Sequence, residues 1–176
     1  DGDIADVYKS LYPADNLVLG DAHEYLLNHV NDFDFIWSSP PCQSHSRMIR
    51  SGRNRKPRYP DMKLYEEIIF LKYFFKGKYC VENVIAYYEP LIKPIAIQQH
   101  HFWANFNIRK ISLSADNIDK GKVKEWEKRL GFDLSKYHNI NKTTILRNCV
   151  RPELGLHILN EALNIKSTHL PQQFLF

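Results

Sequence analysis

Apolar positions follow two different rhythms along the chain, and each change of rhythm marks an element. After the short apolar run Leu17–Leu19 and the pair Gly20-Asp21, the residues Ala22, Tyr25, Leu26 and Val30 recur at helical spacing. Phe33–Trp37 is aromatic and β-branched, as a buried strand is, and the Ser-Ser-Pro-Pro that follows stops it. From Met62 to Phe75 the apolar residues Leu64, Tyr65, Ile68, Ile69, Leu71 and Phe75 cover most of a helix, which predicts one packed on a sheet. Tyr79–Val81 and His101–Phe106 read as further short strands. Val123, Trp126 and Leu130 mark a helix closed by Gly131, and Pro152 opens another that carries Leu154, Ile158 and Ala162. This alternation predicts an α/β layer fold with a largely parallel sheet.

Open α/β sheets bind ligands at the carboxyl ends of their strands. The residues expected there are Asp21 after the first strand, Ser38–Ser46 after the second, and Glu82-Asn83 after the third. An acid, a cysteine loop and a second acid are expected to share one crevice.

Composition narrows the classes. A compact chain of 176 residues buries roughly 70 % of the surface it would expose unfolded, enough for one domain with a real core. Hydrophobic residues at 44 % and charged residues at 25 % exclude a disordered or fibrous protein. No apolar run approaches the roughly 20 residues of a membrane span. Asp1–Ser10 has neither the basic start nor the apolar stretch of a signal peptide. Cys42, Cys80 and Cys149 are an odd number without scaffold spacing, so they are expected as thiols in a reducing, cytoplasmic setting. The seven glycines (positions 2, 20, 52, 77, 121, 131 and 155) form no GxG loop to cradle a nucleotide.

The chemistry concentrates in Ser38-Ser39-Pro40-Pro41-Cys42-Gln43-Ser44-His45-Ser46. A lone cysteine is ordinarily a small buried hydrophobe. Here two prolines stiffen the backbone before the thiol, at a strand end and ahead of polar residues, which suits a nucleophile presented at one angle. Cys80 and Cys149 stand in apolar or helical contexts and keep the packing reading.

Pro40-Pro41-Cys42-Gln43 with Ser46, followed some 40 residues later by Val81-Glu82-Asn83-Val84, resembles the cytosine-5 DNA methyltransferase family. The resemblance implies a Rossmann-like methyltransferase fold dependent on S-adenosylmethionine, with helices on both faces of a mostly parallel sheet. It implies a single catalytic domain: a core over 1–106, a reduced target-recognition region over 107–146, and a returning C-terminal motif over 147–165. Cys42 would add to carbon 6 of a cytosine flipped out of double-stranded DNA, making carbon 5 nucleophilic enough to accept a methyl group. Glu82 would hydrogen-bond ring nitrogen 3 and the exocyclic amine, and Asn83 would brace the loop. The plainer reading of Glu82 is an acid capping the next turn.

Weaker matches follow the same pattern. Asp21 and Leu64 resemble the family's adenine contacts, with a helix cap and a core leucine as their plain alternatives. Pro40 and Asn148, the latter in Arg147-Asn148-Cys149-Val150-Arg151-Pro152, complete the implied cofactor residues. Arg47, Arg50, Arg53, Arg55, Lys56 and Arg58 put six cations into twelve residues without an acid. That is either a solvated loop or, with Gln43 and Ser46, the family's DNA-closing loop.

Three departures qualify the match. The family's glycine-rich FxGxG loop and the strand before it have no counterpart, so a fragment or a complementing polypeptide is expected. At Gln98-Gln99-His100-His101 the family's arginines are replaced, and His100 stands where one would meet the flipped base. Only about 40 residues separate Phe106 from Asn148, where the family's recognition region is larger. The leading expectation is a modification-type methyltransferase core. Alternatives are a catalytically incomplete DNA-binding subunit, an RNA cytosine-5 methylase, and a zinc module using Cys42, His45, Cys80 and His100 or His101, although no close second ligand pair supports the last.

Overall fold

A computed structural model describes residues 2–50, 58–113 and 123–165, with the side chains of Ile49 and Arg50 also left outside the description. The chain divides into two compact units: Asp1–Asp21 with Ser114–Asn160 and Ile165–Phe176, and Ala22–Leu113 with Glu161–Asn164. None of the helices is long and apolar enough to cross a membrane among the described residues.

The second unit holds the sheet. Its elements are α2 (Ala22–His29), β1 (Phe35–Ser38), α3 (Lys63–Phe74), β2 (Lys78–Val84), β3 (Ile95–Ile97) and β4 (His100–Ala104), and α1 (Gly2–Leu11) precedes them in the other unit. The architecture is α/β, but the sheet is mixed, in the order β1-β2-β4-β3. Only β1 and β2 run parallel, whereas β4 is antiparallel to both β2 and β3. This corrects the largely parallel sheet expected from strand–helix alternation. The cause is a tight hairpin: Ile97 pairs with His100 across Gln98-Gln99, and Gln98 takes φ 54° to close the turn. Leu17–Leu19, expected as a strand, has no regular structure, and all three residues are exposed.

The helix on the sheet forms as its pattern predicts. Asp61 Oδ1 accepts from the Lys63 amide at 3.0 Å, and the chain becomes extended at Phe75, whose amide reaches Leu71 O. Leu64, Tyr65, Ile68 and Leu71 of α3 pack with Ile36, Val81 and Trp103 of the strands in one buried cluster. Gly77 is needed where β2 starts, because a Cβ there would lie 2.4 Å from Asp34 O. That approach lets the Lys78 amide bond Asp34 O at 2.9 Å and sets the β1/β2 register.

The first unit is helical: α1, α4 (Val123–Leu130), α5 (Lys142–Arg147) and most of α6 (Pro152–Ala162). Its buried cluster is Val7, Leu134 and Leu146, with Val123, Trp126 and Leu130 of α4 packed against it. Gly131, at φ 78°, ends α4 with its amide on Glu127 O at 2.9 Å. Pro152 opens α6 as expected.

Candidate functional site

Two adjacent parallel strands deliver the central residues. β1 ends at Ser38 and releases the chain into the cysteine loop, while β2 continues past Val81 through Glu82 and Asn83 to Val84. The acid and the amide therefore lie within the strand, not just after it. A hydrogen-bonded strand fixes such side chains more firmly than a loop does.

The loop is tied at several points. The Ser38 hydroxyl bonds the buried carboxylate of Glu67 on α3, and His23 of α2 lies 3.6 Å from both Glu66 and Glu67. Trp37 Nε1 donates to Ser39 Oγ at 3.0 Å. Asn83, 1 % exposed, donates its amide to Pro40 O at 3.0 Å and accepts from the Val84 amide at 3.0 Å. The carbonyl of Cys42 then accepts from the amides of His45 and Ser46, both at 3.0 Å, so the thiol-bearing residue opens a turn. His45 O accepts from the Tyr87 amide at 3.0 Å, and Ser46 bridges to Ala86. Beyond the basic stretch, the Asp61 amide returns to Ser44 Oγ at 3.0 Å, and Tyr87 Oη donates to Arg58 O at 2.5 Å.

Glu82 is buried, and its Oε1 lies 2.6 Å from His100 Nδ1. The register opposes Glu82 to Phe102 and Val84 to His100, so the pair meets diagonally across antiparallel strands. Cys42 is half-buried, and burial followed by the negative charge of Glu82 pushes its thiol up from the ordinary range. Cys80, fully buried in β2, is pushed up to about 12, chiefly by burial, and is inert. His101 is held below the ordinary imidazole value by burial first and then by the charge of Arg47, whose Nε reaches Ala86 O at 3.4 Å.

The structure therefore brings Cys42, Pro40, Glu82, Asn83 and His100 into one unit around the ends of β1 and β2. Gln43 is exposed, Ser46 half-buried and Arg47 exposed on the same loop. The side chain of Arg50, and Arg53, Arg55 and Lys56, lie outside the described residues. Leu64 is 2 % exposed within the core cluster. Asp21 and Asn148 belong to the first unit, where Asp21 stands immediately before α2 and Asn148 caps the C-terminus of α5. Asn148 also lines an apolar cavity of about 420 Å³ with Tyr8, Phe132 and Cys149. Of the residues implied for the cofactor, Pro40 is half-buried, and Asp21 and Asn148 are exposed.

His45 figured in the sequence only as a ligand of the zinc alternative, yet it is 1 % exposed and bonds Tyr88 Oη through Nδ1 at 2.6 Å. No spacing rule links residues 45 and 88. Their contact depends on β2 carrying the chain back to the loop. Among the described residues no group of three or more His, Cys, Asp or Glu side chains is placed to hold a metal ion.

No protein-family model, no curated protein and no solved structure matches the chain.

Proposed function

We propose that the chain is the catalytic core of a DNA cytosine-5 methyltransferase, with a Rossmann-like methyltransferase fold built around the β1/β2 pair. One observation carries the reading. A thiol stands on the proline-stiffened loop after β1, a buried carboxylate stands within the adjacent parallel strand β2, and Asn83 ties the loop to the acid's strand through Pro40 O.

Each residue then has a task. The Cys42 thiol gives its proton to solvent as its sulfur bonds carbon 6 of a flipped cytosine, and the electron pair of the ring's 5,6 double bond passes to carbon 5. Glu82 hydrogen-bonds nitrogen 3 and the exocyclic amine, where charge develops, and is kept in place by His100 from the neighbouring strand. S-adenosylmethionine, the cofactor implied by the sequence resemblance, supplies an electrophilic methyl group. Solvent takes the carbon 5 proton, the electrons of that C–H bond reform the 5,6 double bond, and the sulfur departs as a thiolate that regains a proton from solvent. Arg47 and the cations after it neutralise backbone phosphates, which makes affinity depend on salt more than on sequence.

His100, bonded to Glu82 where the family has an arginine, supports a second reading, in which the chain is a catalytically incomplete DNA-binding subunit whose cofactor site a complementing polypeptide completes. Binding of S-adenosylmethionine by the isolated chain rules that out.

The experiment is intact mass after incubation with S-adenosylmethionine and DNA containing 5-fluorocytosine, with fluorinated RNA in parallel to separate the two polymers. Fluorine blocks the final elimination and traps the enzyme covalently. The expected result is an adduct with DNA that vanishes in Cys42→Ser, whose circular dichroism and DNA affinity stay unchanged. Full methyl transfer by Cys42→Ser refutes the assignment.

A further inference from the structure

The far end of the cysteine loop is held by a chain of groups that the chemistry above leaves unused. The Leu91 amide donates to Tyr65 Oη at 3.2 Å, Tyr65 Oη donates to Tyr88 Oη at 3.3 Å, and Tyr88 Oη lies 2.6 Å from His45 Nδ1. Tyr65 accepts from Leu91 and gives its own proton to Tyr88, whose hydroxyl shares a hydrogen bond with Nδ1. Burial holds His45 below the ordinary imidazole range, against a smaller opposite pull from Asp61. The other ring nitrogen, Nε2, is buried and has no hydrogen-bond partner among the described residues.

An imidazole is a poor choice for packing alone here. Phenylalanine would fill a similar volume with no polar atom left over, so the histidine answers a requirement other than stability. The requirement is visible in the backbone. The amide of His45 lies on Cys42 O, and the carbonyl of His45 accepts from the Tyr87 amide, next to the residue that holds its ring. Fixing the ring fixes the turn that begins at the thiol.

We propose that His45, held by Tyr88 and Tyr65, is a positioning residue for Cys42 that sets the turn from Cys42 to Ser46 and with it the burial and direction of the thiol. Its catalytic meaning rests on the reading of Cys42 as the nucleophile, but its effect on the thiol does not. The titratable group that acts on that thiol is Glu82 from β2, whose carboxylate bonds His100 of β4.

The test is the pH profile of Cys42 alkylation by iodoacetamide in the full chain, for the wild type, His45→Phe and Tyr88→Phe. Cys149 in the same molecules serves as the reference. A released turn exposes the thiol, so both variants are expected to move the Cys42 profile to lower pH by about half a unit, roughly threefold in rate at fixed pH. The Cys149 profile stays in place, and His45→Phe melts at or above the wild-type temperature. Trapping by 5-fluorocytosine DNA slows about tenfold in each variant and no further in the double variant, as for residues acting as one unit. An unchanged Cys42 profile in either variant, an equal shift at Cys149, or trapping losses that multiply overturns the proposal. A wild-type chain that never forms the DNA adduct removes the nucleophile reading, and the alkylation shift still decides the role of His45.

Discussion

The two units bury different kinds of side chain. Among the described residues the buried polar ones are His45, Glu67, Glu82, Asn83 and His101, and all five lie within Ala22–Leu113. The cluster of the other unit, Val7, Leu134 and Leu146 with its half-buried neighbours, is apolar and aromatic. An apolar cluster tolerates small shifts, because dispersion and burial have no direction. A buried carboxylate, amide or imidazole does not, since each lost bond leaves a desolvated polar group behind. The sheet unit is accordingly where precision is concentrated.

Substitutions can break or sharpen this contrast. Beyond the loss of all trapping in Cys42→Ser, Glu82→Gln has the largest expected effect. Methyl transfer falls by about 10²–10³-fold, the size of losing one group that stabilises developing charge. Its negative charge is also the second of the two influences holding the Cys42 thiol up, so the alkylation profile of Cys42 moves to lower pH in the variant. A profile that stays put denies any link between the acid and the thiol.

A pair of truncations comes next. Leu134→Ala, at a fully buried site, lowers stability in urea by about 2–5 kcal/mol and leaves the alkylation rate of Cys42 unchanged. Asn83→Ala, which frees Pro40 O, costs about 1–3 kcal/mol but slows trapping at Cys42. If the larger loss of stability accompanied the larger loss of trapping, the contrast between the units would collapse.

Acidification gives the smallest effect. Burial holds both His45 and His101 below the ordinary imidazole value, so the unfolded chain takes up protons first as the pH falls. Stability is therefore full above about 6.5 and declines below it, until the folded-state values are passed. Urea midpoints measured on either side of that value show the decline, and His45→Phe reduces its slope.

How much of this was legible in the sequence depended on whether a feature is local. α3 and α4 were, because helical spacing and the stop at Gly131 lie within one segment. β1, β2 and β4 were found to within a few residues from their aromatic and β-branched runs. The direction of β4 was not, because the turn that reverses the chain is Gln98-Gln99 and carries none of the glycine or asparagine that normally marks a two-residue hairpin. Leu17–Leu19 failed for a related reason. A strand requires a partner, and three apolar residues in a row cannot specify one. In the site, Cys42, Glu82 and Asn83 stood out by motif, whereas Tyr65, Tyr88 and the role of His45 emerge only when separate segments meet.

The antiparallel register of β2 and β4 has a consequence of its own. Glu82 meets His100 because residues of one parity on β4 share a face with residues of one parity on β2. Strands slip only by whole residues, and a slip of one exchanges the faces of His100 and His101. The encounter of acid and imidazole therefore has discrete settings, engaged or reversed, with no continuum between them. Gradual change at this site therefore comes through side-chain identity, since strand register admits no intermediate.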